Sequence, residues 1–240
     1  MKFLEKIAII FFDLLDKYFH QKNIIRYLKK NLENVDIFFD IGSHKGLYTD
    51  LITKNFKVKK IVMVEPQKNI FKFIKNKYLK KKEVKIYNLA LSDKKKKQTL
   101  YINKHDLTSS LTQIDKKNSY LNIKAKLFGG TINDLIHNKY MVNSYKLSDI
   151  IKKDSISKID LLKVDTEGHE LQVLRGAGSS LKEKVNFILI EIHNSNIFIN
   201  YDAKKIHNYL KKNKFTLKKI YKFPFTTWED RIYQNNNFKQ

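Results

Sequence analysis

The sequence predicts an α/β fold, a mostly parallel sheet wrapped by helices, and three observations predict it. From Val35 onward, short apolar runs alternate with amphipathic segments of helical period, the pattern of strands joined by helical crossovers. Two of the runs end in acidic, glycine-bearing turns that open at once into helix starts, at Asp40–Gly46 and Asp165–Glu170. The chain closes with two strand-like segments too near each other for a crossover, so they must be antiparallel, which mixed sheets accommodate.

Residues 1–34 read as two helices joined near His20–Asn23, an extension ahead of one domain over 35–240. Val35–Asp40 is a short apolar run ending in a turn, hence a buried strand. His44–Asn55 carries Leu47, Leu51 and Ile52 at helical spacing. Lys60–Glu65 is a second strand, stopped by Pro66. Gln67–Lys82 is amphipathic, with Ile70, Phe73, Ile74 and Tyr78 on one face, and Val84–Ala90 is a third strand. Residues 94–150 read as an insertion between the third and fourth core strands. It holds a solvated lysine turn at Lys94–Lys97, strand-like Thr99–Asn103, a polar loop Asp106–Lys117 and a turn at Gly129-Gly130. The core pattern resumes with strand Ile159–Val164, a helix near Glu170–Leu174, strand Asn186–Ile192 and helix Ala203–Lys212. Strands Phe215–Lys222 and Arg231–Gln234 follow, joined by a turn at Phe223–Glu229.

The chain has 240 residues, a net charge of +24 and no cysteine. Disulfides, thiol nucleophiles and cysteine metal sites are thereby excluded, and a reducing, cytoplasmic setting fits. A charge of this size draws anions, nucleic acid and acidic membranes included. Yet Arg26, Arg175 and Arg231 are the only arginines among 48 basic residues, and asparagine occupies 22 positions. Lysine and asparagine rise together in an AT-rich genome, whereas phosphate and base recognition favours the arginine fork. The segment Phe3–Phe19 is too short and too charged to span a bilayer, and no small-residue cleavage site marks it as a signal peptide. It reads as a helix packed on the domain, with peripheral contact to the inner face of a membrane as the other reading.

The turn Asp40-x-Gly42-x-x-x-Gly46 combines a backbone able to bend tightly with the free amides of a helix start. Its spacing differs from the dinucleotide fingerprint and suits a ligand carrying a carboxylate and a nucleoside. Glu65, ending the second strand, can accept hydrogen bonds from both hydroxyls of a ribose. Asp165-Thr166-Glu167-Gly168-His169-Glu170 crowds four ionisable groups at another strand end, where one can act as general base on a hydroxyl. Helix capping accounts for Glu170, but not for Lys163 interrupting a buried strand. Glu191 and His193 share one face by the strand period, so adjacent strand ends can bring Asp165, Glu167, Glu191 and His193 together. Such a set serves acid/base work or a divalent ion, magnesium or manganese rather than structural zinc. The spacing matches no specific metal motif, so no metal ligand is assigned.

These blocks resemble the FkbM family of S-adenosylmethionine-dependent methyltransferases. The resemblance runs through Asp40–Gly46, Val64-Glu65-Pro66, Ala90-Leu91-Ser92-Asp93, Ser109-Ser110-Leu111, Leu147-Ser148-Asp149, Ile159–Ala177 and Ile190–His193. Two departures are Ser148, where the family more often has an acidic residue, and Ser43, where alanine is common. The resemblance implies the class I (Rossmann-like) methyltransferase fold, a seven-stranded sheet with its last strand antiparallel. It implies that Asp40, Gly42 and Gly46 hold the methionine part of S-adenosylmethionine, that Glu65 binds the ribose, and that Ala90, Leu91 and Ser92 border the adenine. Asp165, Glu167, Glu191 and His193 would face the methyl-transfer site.

The expected activity is O-methylation of a sugar hydroxyl in a surface polysaccharide, glycolipid or related glycoconjugate, with a glycan or small molecule as acceptor. Two rivals are a nucleic-acid methyltransferase and a non-enzymatic basic module on anionic membranes or glycans. The first lacks an Asn-Pro-Pro-Tyr-type motif for a flipped base amine. The second gains nothing from four acidic residues in a cleft.

Overall fold

A computed structural model of the chain describes residues 20–103, 109–119, 121–122, 131, 136–224 and 226–238. The elements follow in chain order: α1 (Gln21–Asn31), β1 (Ile37–Ile41), α2 (Leu47–Asn55), β2 (Lys60–Val64), α3 (Lys68–Lys77) and β3 (Val84–Tyr87). Next come β4 (Ala90–Leu91), β5 (Lys96–Asn103), β6 (Ser109–Ser110), β7 (Ile136–Tyr145) and α4 (Leu147–Lys153). The remainder is β8 (Ile159–Val164), α5 (Glu170–Gly176), α6 (Ser180–Lys184), β9 (Val185–His193), α7 (Ala203–Lys212), β10 (Phe215–Lys222) and β11 (Trp228–Asn235).

Seven strands form the main sheet in the order β10-β11-β9-β8-β1-β2-β3. From β9 to β3 all neighbours are parallel. β11 runs antiparallel to both β9 and β10, so the last strand lies inside the sheet and β10 forms its edge. Alternation along the strands sends residues to two cores. Phe39, Val62, Leu162 and Ile188 face one side and pack with Leu147, Val173 and Leu210 of α4, α5 and α7. Phe38, Ile61, Leu161 and Leu189 face the other and pack with Ile24, Leu28, Ile52 and Ile74 of α1, α2 and α3. Strands buried on both faces read as apolar runs; β8 has all six residues buried, its apolar run broken by Asp160 and Lys163.

Between β3 and β8 the chain builds a second sheet, in the order β4-β7-β5-β6. Ala90, Leu100, Ile102 and Val142 form its small core. Three expectations change here. The run Val84–Ala90 is two strands: the chain leaves the main sheet after Tyr87, and Ala90 and Leu91 pair with Ser144 and Tyr145 of β7. The lysine run is only half a turn, because Lys96 and Lys97 already pair with Ser144 and Asn143. The polar loop includes β6, which pairs Ser109 and Ser110 with Ile102 and Tyr101.

Two helices turn differently from their apolar spacing. Leu47 and Phe73 are 64% and 50% exposed, while Ile52, Ile70, Ile74 and Tyr78 carry the packing. Of the join expected near His20–Asn23, the structure describes the start of α1 at Gln21, with Asn23 already helical; the helix expected before it lies outside the described residues. Helix α3 ends at Lys77 rather than Lys82. The short helices α4 and α6 have seven and five residues, too few for a legible amphipathic repeat. Phe3–Phe19 and Gly129-Gly130 lie outside the described residues. Among those described, no helix is long and apolar enough to cross a membrane.

Candidate active site

Four loops meet at the carboxyl ends of the parallel strands, where ligands bind in such sheets. Gly42 and Ser43, following β1, both donate their amides to the carbonyl of Val64 at the end of β2. Asp165, following β8, donates its amide to Ile41 at 3.0 Å. Gly42 has φ 77°, and a β-carbon there would collide with the Asp165 carbonyl. Gly46 is also left-handed, with φ 76°. Its Cα faces the Tyr78 hydroxyl, which donates to the Gly46 carbonyl and to Asp50 at 2.9 and 2.7 Å. Both glycines are therefore required by the protein's own close approaches.

Asp40 is buried and accepts a hydrogen bond from Thr49 of α2 at 2.7 Å. Burial pushes its carboxyl up to about 6. Glu65 is buried too, with one oxygen accepting from the His44 amide at 2.9 Å and the other from the Gln67 amide at 2.7 Å. Burial pushes it up to about 7 against the pull of those two amides. The two amides hold the carboxylate in place and leave each oxygen a further lone pair.

Ser43 Oγ, on the turn after β1, and Gln67 Nε2, on the turn of Glu65 itself, are buried with no hydrogen-bond partner among the described residues. Buried polar atoms are seldom left unmatched. A ligand carrying a ribose and polar ring or carboxylate acceptors would complete these groups, so the residues fit S-adenosylmethionine. Ala90, Leu91 and Ser92 are placed differently. Their side chains turn into the protein, Leu91 in the main core and Ala90 in that of the second sheet. Ser92 Oγ lies 3.0 Å from His169 Nε2.

The acidic turn after β8 is clamped from several sides. Glu170 accepts from the Thr166 amide and hydroxyl and from the Gly168 amide, at 3.0–3.1 Å. Glu170 thus folds the loop ahead of its own helix. Ser110 Oγ donates to the Glu167 carbonyl at 2.5 Å, and Thr112 Oγ1 donates to that of Gly168 at 2.9 Å. Glu167 is held at φ 52°, a region seldom used outside glycine. His169 points away from the other acidic residues, between Ser92 and Thr112, and burial lowers it to about 4, so it is neutral.

Asp165, Glu167, Glu191 and His193 do come together. His193 Nε2 lies 3.3 Å from Glu191 Oε1 and 3.4 Å from Glu167 Oε2. Burial and the charges of Asp165 and Glu167 hold the Glu191 carboxyl well above its usual range. Burial alone would lower His193, but Glu167 beside it raises it. Asp165 is raised by burial and by neighbouring carboxylates, against the pull of Lys163.

The sequence marks Lys163 but not its partner Asp230, which forms the other half of this cluster. Lys163 is fully buried, with Nζ 3.1 Å from Asp165, 3.6 Å from Asp230 and 4.5 Å from the centre of the Tyr48 ring. Burial opposes its charge, but Asp165, Asp230 and Glu191 keep it protonated. Asp230, on β11, also accepts from Tyr48 at 2.9 Å and lies 2.9 Å from His20 Nε2. Burial works against the Asp230 carboxylate, yet Lys163 and His20 hold it below its usual value. A lysine inside a buried strand demands buried carboxylate partners, the one signal in the sequence that could have led to Asp230.

Residues 40–217 match the model of the Methyltransferase FkbM domain. A curated relative, hexuronic acid methyltransferase AglP of Haloferax volcanii, is 24% identical over 173 residues, 72% of this chain and 62% of its own. Among solved structures, Methyltransferase FkbM from Methylobacillus flagellatus has a TM-score of 0.51 at 16% identity, over 83% of this chain and 43% of that one. M. capricolum TrmK, in complex with S-adenosyl-homocysteine, has a TM-score of 0.50 at 11% identity, over 91% of this chain and 68% of that one. The chain thus spans less than two thirds of the length of AglP and less than half of the M. flagellatus chain.

Proposed function

Because the chain belongs to the FkbM methyltransferase family and has the class I methyltransferase fold, we propose that it is an S-adenosylmethionine-dependent O-methyltransferase acting on a sugar hydroxyl. The observation that carries this reading is the turn after β1, which bonds to the end of β2 beside Glu65 and to Asp165 after β8, where Glu167, Glu191 and His193 also gather. The name of the relative AglP supports a sugar as acceptor.

The cofactor supplies an electrophilic sulfonium methyl group. Glu65 would hold its ribose hydroxyls, Ser43 and Gln67 would supply donors beside it, and Asp40 with the Gly42–Gly46 turn would border the amino-acid part. Asp165 would accept the proton of the acceptor hydroxyl as that oxygen takes the methyl group, the sulfur being left as a thioether. Glu167 and Glu191, with His193, hold the neighbouring hydroxyls. Fixing the attacking oxygen in line and removing its proton are the two contributions such a transfer needs. Lys163 sets the direction of the Asp165 carboxylate through their 3.1 Å contact.

Calorimetric titration with S-adenosylmethionine tests the reading, followed by a screen of sugar acceptors. Micromolar binding is expected in the wild type and loss of it in Glu65→Ala. Asp165→Asn should keep cofactor affinity within about threefold and lose turnover by about 10²–10⁴-fold. A folded wild type that binds no S-adenosylmethionine would overturn the assignment, and parallel loss of affinity and turnover in Asp165→Asn would remove the base role.

A further inference from the structure

Glu191 and His193 stand two residues apart on β9 and so on one side of the strand. Glu167 reaches the same point from the loop after β8. That loop is held by Ser110, Thr112 and Glu170. One ligand atom from each of the three residues falls within a group whose members all lie within 4.8 Å of one another. His193 is 95% buried, given its exposure of 5%. Among the described residues its Nε2 meets no hydrogen-bond geometry, although Glu191 and Glu167 oxygens lie 3.3 and 3.4 Å away as ion-pair partners.

These spacings have a simple chemical reading. Neighbouring ligands of an octahedral ion bound at about 2.1–2.2 Å lie about 3.0–3.1 Å apart. The two histidine–carboxylate separations, 3.3 and 3.4 Å, lie within a few tenths of an ångström of that spacing, and the two carboxylates, within 4.8 Å of each other, close onto the ion by side-chain rotation. Two carboxylates and one imidazole suit magnesium or manganese. Charge points the same way. Lys163 makes its ion pairs with Asp165 and Asp230 and reaches Glu191 only through its field, and among the described residues His193 is the ion-pair partner of both Glu167 and Glu191.

We propose that Glu167, Glu191 and His193 bind one divalent cation of the magnesium–manganese class at the acceptor end of the site. The inference rests on the methyltransferase reading for the ion's role, not for its binding. Three protein ligands leave an octahedral ion three positions for water or for adjacent hydroxyl oxygens of the sugar. The ion would orient those oxygens and make the reacting hydroxyl more acidic, with Asp165 taking the proton.

The test is a Mn²⁺ titration of the full chain at neutral pH, reading free Mn²⁺ by electron paramagnetic resonance, with calorimetric titration of S-adenosylmethionine on the same samples. One equivalent of bound Mn²⁺ is expected. Affinity should fall at least about tenfold in Glu191→Gln and in His193→Gln, and stay unchanged in Glu183→Gln, which alters an exposed glutamate elsewhere. Circular dichroism checks each variant's fold, and the wild-type titration decides if a variant does not fold. A wild type that binds S-adenosylmethionine but no stoichiometric Mn²⁺ overturns the cation site and leaves the methyltransferase reading intact. Mn²⁺ binding unaffected by both variants also overturns it. Mn²⁺ binding without S-adenosylmethionine binding supports the cation site and sinks the cofactor reading.

Discussion

The α-carbon of Gly42 faces the carbonyl oxygen of Asp165 with no room for a β-carbon between them. This approach locks the turn after β1 against the turn after β8. The Asp165 amide, bonded to Ile41 at 3.0 Å, closes the same junction. The residues implied in cofactor binding and those implied in chemistry are therefore one packed unit.

Gly42→Ala should be far more damaging than Gly178→Ala, although both glycines are left-handed, at φ 77° and 58°. The backbone penalty is about 1–2 kcal/mol at either site. Only Gly42 adds a collision with rigid backbone, since nothing lies within 4 Å of a β-carbon at Gly178. Urea denaturation should show a loss confined to that penalty for Gly178→Ala, and a larger one, with S-adenosylmethionine binding abolished, for Gly42→Ala. Equal losses would mean that the junction yields.

S-adenosylmethionine affinity should rise with pH through about 7, because burial lifts Glu65 from 4.5 to about 7 and only its charged form accepts from both ribose hydroxyls. The same shift works oppositely on stability. The folded state binds the proton more tightly, so this contribution is full below pH 4.5 and is lost as pH rises through about 7. Calorimetry across this range should show the rise in wild type and a flat profile above neutrality in Glu65→Gln.

His169 titrates with the opposite sign. Its pKa falls from 6.5 to about 4 in the folded protein, so the unfolded chain takes a proton that the folded one refuses. Stability from this group is present above 6.5 and is lost as pH falls toward about 4. Chemical denaturation at pH 7 and pH 5 should show a weaker acid destabilisation in His169→Gln than in wild type. An unchanged difference would place the proton elsewhere.

Lys163→Met should cost about 3–5 kcal/mol, the range for stripping a counter-ion from buried carboxylates. Asp165 and Asp230 would face each other without it. Adding Asp230→Asn to Lys163→Met should recover part of the loss, because one of the two stranded charges is then gone. A double variant no more stable than the single one would show that Lys163 acts by filling space.

Much of this architecture is legible along the chain. Strand Ile159–Val164, helix Ala203–Lys212 and strand Phe215–Lys222 have the bounds their residue patterns predict, because buried strands, amphipathic helices and the turns that bound an edge strand write their environments into local composition. The second sheet is less legible. β4 is two residues long, and its partner β7 lies about fifty residues further on, so its pairing follows from long-range packing. Leu47 and Phe73 have helical spacing, yet no layer among the described residues covers them.

The candidate site divides along the same line. Alternation on β9 alone places Glu191 and His193 on one side of the strand, and the turns after β1, β2 and β8 carry the remaining acidic and glycine residues in recognisable spacings. Strand order is what brings Glu167 to His193, and the insertion of β11 beside β9 is what brings Asp230 to Lys163. His20 and Tyr48 reach that carboxylate from two different helical segments. By itself, then, the sequence determined which strands and turns exist, since these follow from local periodicity and backbone chemistry. Tertiary structure alone decided which charges neutralise one another, because a buried charge is satisfied by whatever the fold sets beside it, at any separation along the chain.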